Sequence, residues 1–156
     1  MRRAIALVFA ILFGACSPAM ADDQPTPAMM APVEKVAHFI ATGDDDDLRA
    51  FADSGVVIVE NFAPYLFEGP GAVQRWADGM RTHTAATDAL AYQFGPAIDF
   101  ETDGDRAYFS LPTNWTGRAG PTPFSEDGGW SFVLVKQKGE WRILSYGWAV
   151  TKIEHK

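Results

Sequence analysis

Apolar positions recur along the first third of the chain at helical spacing. Val33, Val36, Ala37, Ile40 and Ala41 follow i, i+3, i+4, i+7 and i+8, which predicts an amphipathic helix closed by Gly43. Asp44 to Asp47 then precede Leu48, Phe51 and Ala52; carboxylates in a first turn favour the positive end of a helix dipole, so a second, short helix follows. The β-branched stretch Val56 to Phe62 reads as a strand, and Phe67-Glu68-Gly69-Pro70-Gly71 as a turn. Val73, Trp76, Met80 and His83 are spaced three, four and three apart. They share one face of a third helix, which carries an imidazole on its inward side.

Beyond this helix the period changes to two. Tyr92, Phe94, Ile98 and Phe100 alternate with polar residues as in a half-buried strand, and Asp103-Gly104-Asp105 makes a tight turn. A strand from Arg106 to Thr116 leads into a Gly/Pro loop through Arg118, Gly120, Pro121 and Pro123 to Gly128-Gly129. Trp130 to Lys138 and Glu140 to Lys152 form a last hairpin. Trp130, Phe132 and Leu134 occupy one face of its first strand and Val133 and Val135 the other, so both faces want cover. The few helices can shield only one face, and a homodimer through the sheet is expected.

The N-terminus follows a different logic. Met1-Arg2-Arg3, the uncharged apolar run Ala4 to Ala15 and the small residues Ala19-Met20-Ala21 form the three regions of a secretory signal over residues 1–21, with Asp22 as the expected mature start. That apolar run is shorter than the roughly 20 residues of a bilayer-crossing helix, so no transmembrane span is expected. Phe13-Gly14-Ala15-Cys16 resembles a lipoprotein box, which leaves a lipid anchor at Cys16 as the rival to cleavage after Ala21. Either route makes the protein exported, periplasmic or secreted. Residues 22–31, with Pro25 and Pro27, read as a flexible tether, and residues 32–156 as one domain.

Composition narrows the function classes. The chain has 156 residues, 47% of them hydrophobic, and a net charge of −7, which suits one well-cored domain and opposes binding to nucleic acid. Cys16 is the single cysteine, so the domain has neither a disulfide nor a thiolate nucleophile. No two histidines have ligand spacing, the acidic tetrad lacks the calcium-loop pattern, and no nucleophile elbow or phosphate loop is present. No metal and no cofactor are expected.

Four short stretches, in order, carry a resemblance: Ala41-Thr42-Gly43-Asp44, Phe51-Ala52-Asp53, Phe67-Glu68-Gly69-Pro70-Gly71-Ala72-Val73, and Lys138-Gly139-Glu140-Trp141-Arg142-Ile143. Over about Pro32 to Glu154 the chain resembles the NTF2-like superfamily, which includes ketosteroid isomerase, scytalone dehydratase and the SnoaL-like polyketide cyclases. The resemblance implies an α+β fold, an NTF2-like cone in which three N-terminal helices pack on a curved antiparallel sheet. It also implies a conical pocket for a small apolar or aromatic ligand. The isomerase donor positions fall near Val36 and Ser131, which cannot act as that acid pair, so ketosteroid isomerase chemistry is not expected.

The same alignment and the strand parity put Tyr108, Ser110, Pro112 and Asn114 on the inward side of one strand and Leu144, Tyr146 and Trp148 on that of the last. Trp76 approaches from the third helix. The substrate-binding set is therefore Trp76, Tyr108, Asn114, Tyr146 and Trp148, each of which has an ordinary core or hydrogen-bonding role as its alternative. His83 and Glu60 form the candidate catalytic acid–base pair of a cofactor-free lyase, isomerase or hydratase. Against this, His83 can be a helix-end histidine and Glu60, or Val59 in its place, an ordinary strand residue. His38 reads as a solvated partner of Glu34 and His155 as an inert tail residue. A non-catalytic dimeric assembly module is the third reading.

Overall fold

The computed structural model describes residues 24–155. The signal, Cys16 and the first two tether residues lie outside them. Helix α1 spans Pro27–Thr42, with Thr26 as N-cap, Pro27 at its start and Gly43 as a left-handed C-cap at φ 77°. It therefore begins before Val33 and takes in Pro27 to Ala31, correcting the tether reading there: a proline at a first helical position is pre-set in φ and lacks an N–H that would have no partner. Met29 and Phe39 join Val33, Val36 and Ala37 on its buried face.

The second helix is a single 3-10 stretch, Asp45–Ala50, capped by the Asp44 side chain on the Asp46 N–H at 3.0 Å. Strands β1 (Val57–Val59) and β2 (Leu66–Phe67) precede α2 (Ala72–Thr84). Then come β3 (Thr87–Phe94), β4 (Ile98–Asp103), β5 (Arg106–Ala119), β6 (Thr122–Gln137) and β7 (Glu140–His155). So the helical part comprises two α-helices and a 3-10 turn, and α2 follows the first strands. All seven strands share one sheet in the order β2-β1-β7-β6-β5-β3, with β4 also on β5. The sheet is antiparallel except that β1 runs parallel to β7.

Residues 92–100 are two strands, because Gly95-Pro96-Ala97 breaks them apart. The break explains Pro112 in mid-strand: its carbonyl accepts from the Gly95 N–H at 2.8 Å, so its missing N–H faces the gap between β3 and β4. Asp99 then adopts φ 54° at a register shift, and the extra residue turns Ile98 outward, 55% exposed, while Phe100 stays against the core.

The expected Gly/Pro loop after Thr116 is also strand. β5 and β6 pair continuously from Arg106↔Val135 to Ala119↔Thr122, turning only at Gly120-Pro121. Bulges at Asp127/Gly128 and Val133/Leu134 interrupt the β6–β7 ladder, adding bend and twist to strands of this length. The concave side takes the helices. Trp76 is fully buried, with ring centroids of Phe39, Phe51 and Tyr146 at 5.2, 5.3 and 5.8 Å. Truncating such a residue to alanine costs about 3–5 kcal/mol.

Candidate functional site

A cavity of about 240 Å³ opens between α2 and the concave face of the sheet. It exceeds the roughly 150 Å³ apolar cavity known to admit benzene, and is below the usual drug-sized pocket. Trp115, Trp130 and Trp148 line it from consecutive strands, together with Ile40, Met80 and Leu90. Trp130 and Trp148 meet edge to face at 5.7 Å, and Trp115 tilts against Trp130 at 6.2 Å. Gly128 makes this possible: a Cβ there would lie 2.3 Å from the Trp148 ring. A second, wider groove near the 3-10 helix is bordered by Asp45 and Asp53, whose carboxylates are solvent-exposed.

Four titratable residues line the cavity: Glu60, His83, Glu126 and His155. Glu60 follows β1 directly, its N–H bonded to the Tyr65 carbonyl at 2.9 Å. Val59 points outward at 47% exposure, so Glu60 is the inward residue of the pair, only 5% exposed. One of its oxygens, Oε1, accepts hydrogen bonds from Trp76 Nε1 at 2.9 Å and from the Tyr146 hydroxyl. Burial pushes the Glu60 carboxyl above its ordinary pKa; the Tyr146, Trp76 and Asn61 backbone donors oppose that rise, and the Glu126 charge adds to it. Burial also drives the Tyr146 hydroxyl well above its usual value, so it stays a donor.

His83 lies near the end of α2 with its ring stacked on Phe62, centroids 4.8 Å apart. Partial burial lowers its pKa, which favours the neutral imidazole. Glu126, half-buried on β6, accepts from Trp148 Nε1 at 3.3 Å and is pushed up by burial against that bond. Among the described residues neither Glu60 nor Glu126 has a cationic partner within salt-bridge distance, and no lysine or arginine lines the cavity.

The structure brings Glu60, His83 and Trp148 to the cavity wall and places Trp76 and Tyr146 one layer behind, on Glu60. It does not bring Tyr108 and Asn114 there. On β5 the buried set is Ala107, Phe109, Leu111, Thr113 and Trp115, which leaves Tyr108 40% exposed beside Ser110, and Asn114 bonded outside to Ser125 and Asp127 at 2.9 and 2.7 Å. The apolar face turned inward because it removes far more hydrocarbon from water than Tyr108, Ser110, Pro112 and Asn114 would. His155 is no free tail: β7 pairs it with Phe124 and it lines the cavity. His38 pairs with Asp47 at 2.5 Å across the helix junction, in place of Glu34.

Sequence reasoning missed Glu126. Its signal was present: counting back from Trp130 in twos, through Gly128, reaches Glu126, provided β6 extends across the glycines. Away from the cavity, exposed His38 and Asp44 with half-buried Asp47 hold one potential ligand atom each within 4.8 Å of the others, the one such grouping among the described residues.

Solved structures similar to this one share the architecture at low identity. A protein from Kribbella flavida has a TM-score of 0.69 at 14% identity, over 81% of this chain and 90% of the other. The LinA-type3 hexachlorocyclohexane dehydrochlorinase of Novosphingobium barchaimii has 0.69 at 7%, over 83% and 88%. A protein from Novosphingobium aromaticivorans, provisionally named a scytalone dehydratase, has 0.67 at 12%, over 81% and 84%. Among curated proteins none matches significantly. No described helix is long and apolar enough to cross a membrane. Residues 28–147 match the SnoaL-like domain, from the first turn of α1 to one residue short of Trp148, and on that span, with its curved α+β cone, the chain belongs to the SnoaL-like family of NTF2-like proteins.

Proposed function

We propose that the cone binds a small, mostly apolar molecule with one planar ring. The observation that carries this reading is the tryptophan-walled cavity with a buried, hydrogen-bonded carboxylate at its edge, a mostly apolar site with few polar groups. Toluene or p-cresol serves as a probe. Either is expected to quench tryptophan fluorescence and raise the melting temperature, since a ligand at 100 times its Kd adds about 2.7 kcal/mol of stability. Leu90→Trp, which fills the cavity from β3, is expected to remove both effects. No shift with any single-ring probe at millimolar concentration overturns the reading.

A second reading, cofactor-free acid–base chemistry, draws support from Glu60 and His83. Burial moves one pKa up and the other down, bringing two groups on one cavity wall toward a common range. Deuterium exchange of the α-protons of a bound phenyl ketone in heavy water tests it; Glu60→Gln and His83→Ala each should slow that exchange at least tenfold, and unchanged rates in both would remove the enzyme reading. The same proposal includes export through residues 1–21 and a homodimer through the outer sheet face.

A further inference from the structure

The cavity has an electrostatic asymmetry that a purely apolar ligand leaves unused. Two carboxylates, Glu60 and Glu126, line it, and among the described residues their donors are neutral: the Trp76 and Tyr146 side chains and the Asn61 backbone to Glu60, Trp148 to Glu126. A carboxylate has about four acceptor positions. With the Asn61 backbone N–H, three positions on Glu60 and one on Glu126 are filled, which leaves acceptor capacity on both groups. The remaining titratable lining groups are His83 and His155. His83 is held toward its neutral form by burial. The rest of the wall is indole: Trp115, Trp130 and Trp148 surround the same space, and the face of an indole attracts a desolvated cation more strongly than any other aromatic side chain does.

An aromatic wall, two carboxylates within reach of each other's charge and, among the described residues, no lysine or arginine make a site complementary to one kind of small molecule. Resting on the small-ligand reading above, we infer that the cone selects a compact organic cation, an amine with one ring, whose ammonium is received by Glu60 and Glu126 while its ring lies among the three tryptophans. The cation supplies the opposite charge that neither carboxylate has within salt-bridge distance among the described residues. It also converts two mutually repelling groups into one neutralised site, so ligand binding stabilises the ionised form of both carboxyls.

Three probes of one shape test this: 2-phenylethylamine, 2-phenylethanol and phenylacetate, titrated into the intact protein at pH 7.5 by tryptophan fluorescence and calorimetry. The amine is expected to bind at least tenfold more tightly than the alcohol, and phenylacetate most weakly. Amine binding should release protons, seen as a dependence of the apparent enthalpy on the ionisation enthalpy of the buffer. Glu126→Gln should cut amine affinity about tenfold while leaving the alcohol within twofold. Glu60→Gln should do the same, and because Glu126 is only half-buried, its variant keeps the test open should Glu60→Gln fold poorly. Equal binding of amine and alcohol, or an unchanged amine-to-alcohol ratio in Glu126→Gln, overturns the cation inference and leaves the apolar pocket standing. Failure of all three probes removes both.

Discussion

A buried carboxylate that takes its hydrogen bonds from neutral donors leaves a signature in the pH dependence of stability. The native pKa of Glu60 lies above its unfolded value of about 4.5, so the folded state holds its proton more tightly. The stability it contributes is fully present below that unfolded value and is lost as pH rises through the native pKa. Denaturant titrations from pH 4 to 8 should therefore show a decline that flattens in Glu60→Gln, whose amide oxygen still accepts from Trp76 and Tyr146; an equally steep decline in the variant removes Glu60 as its cause. Tyr146→Phe deletes a donor to the buried Glu60 carboxyl and should cost about 1–3 kcal/mol, with a smaller loss at low pH where the carboxyl is protonated. His83 acts oppositely. Its lowered pKa gives stability that is full above 6.5 and is lost as pH falls through the native value.

At the scale of elements, the site depends on where the long strands bend. β6 and β7 carry their bulge at Asp127/Gly128, beside the place where the Trp148 ring crosses Gly128. A methyl group at Gly128 would meet Trp148 Cη2 at 2.3 Å and the Ala149 carbonyl at 2.6 Å, and backbone cannot step aside. Gly128→Ala should cost at least about 1–3 kcal/mol, the usual overpacking range, and shift the tryptophan emission by moving Trp148. A wild-type spectrum and melting temperature would show that the sheet has slack there. Such bulges also mark where reading by parity fails. Ile98 and His155 both lie beyond a register shift, so counting in twos gives Ile98 the wrong face and leaves His155 unassigned. β5 contains no bulge; there two parities compete, and the apolar alternation Phe109, Leu111, Trp115 takes the inward face, which leaves Tyr108 and Asn114 on the other. α1 and α2 were readable because three- and four-residue spacings put Val33, Val36, Trp76 and Met80 on single faces.

For the whole molecule, the outer face of the sheet bears on assembly. Val59, Ile98 and Tyr108 are 47%, 55% and 40% exposed, with Val133 and Val135 half-covered among them. A dimer through this face should become monomeric in light scattering when Tyr108→Glu places a charge at its centre, with the melting profile of the protomer kept; a wild-type monomer at micromolar concentration would refute that assembly. Intact mass of the protein recovered from its native host tests the proposed export: it should match a chain starting at Asp22, and an acylated species starting at Cys16 would assign the anchor instead. Residue order alone determined the helix faces and the approximate strands, because these follow from local period and from the need of each apolar face to find cover; the cone was implied by the resemblance to the NTF2-like superfamily. Which carboxylates face the cavity and which indoles wall it was decided only in the tertiary structure. Bulges reset strand parity, and the burial of Glu60 and Glu126 depends on groups such as Tyr146 and Trp148 that lie 86 and 22 residues away along the chain.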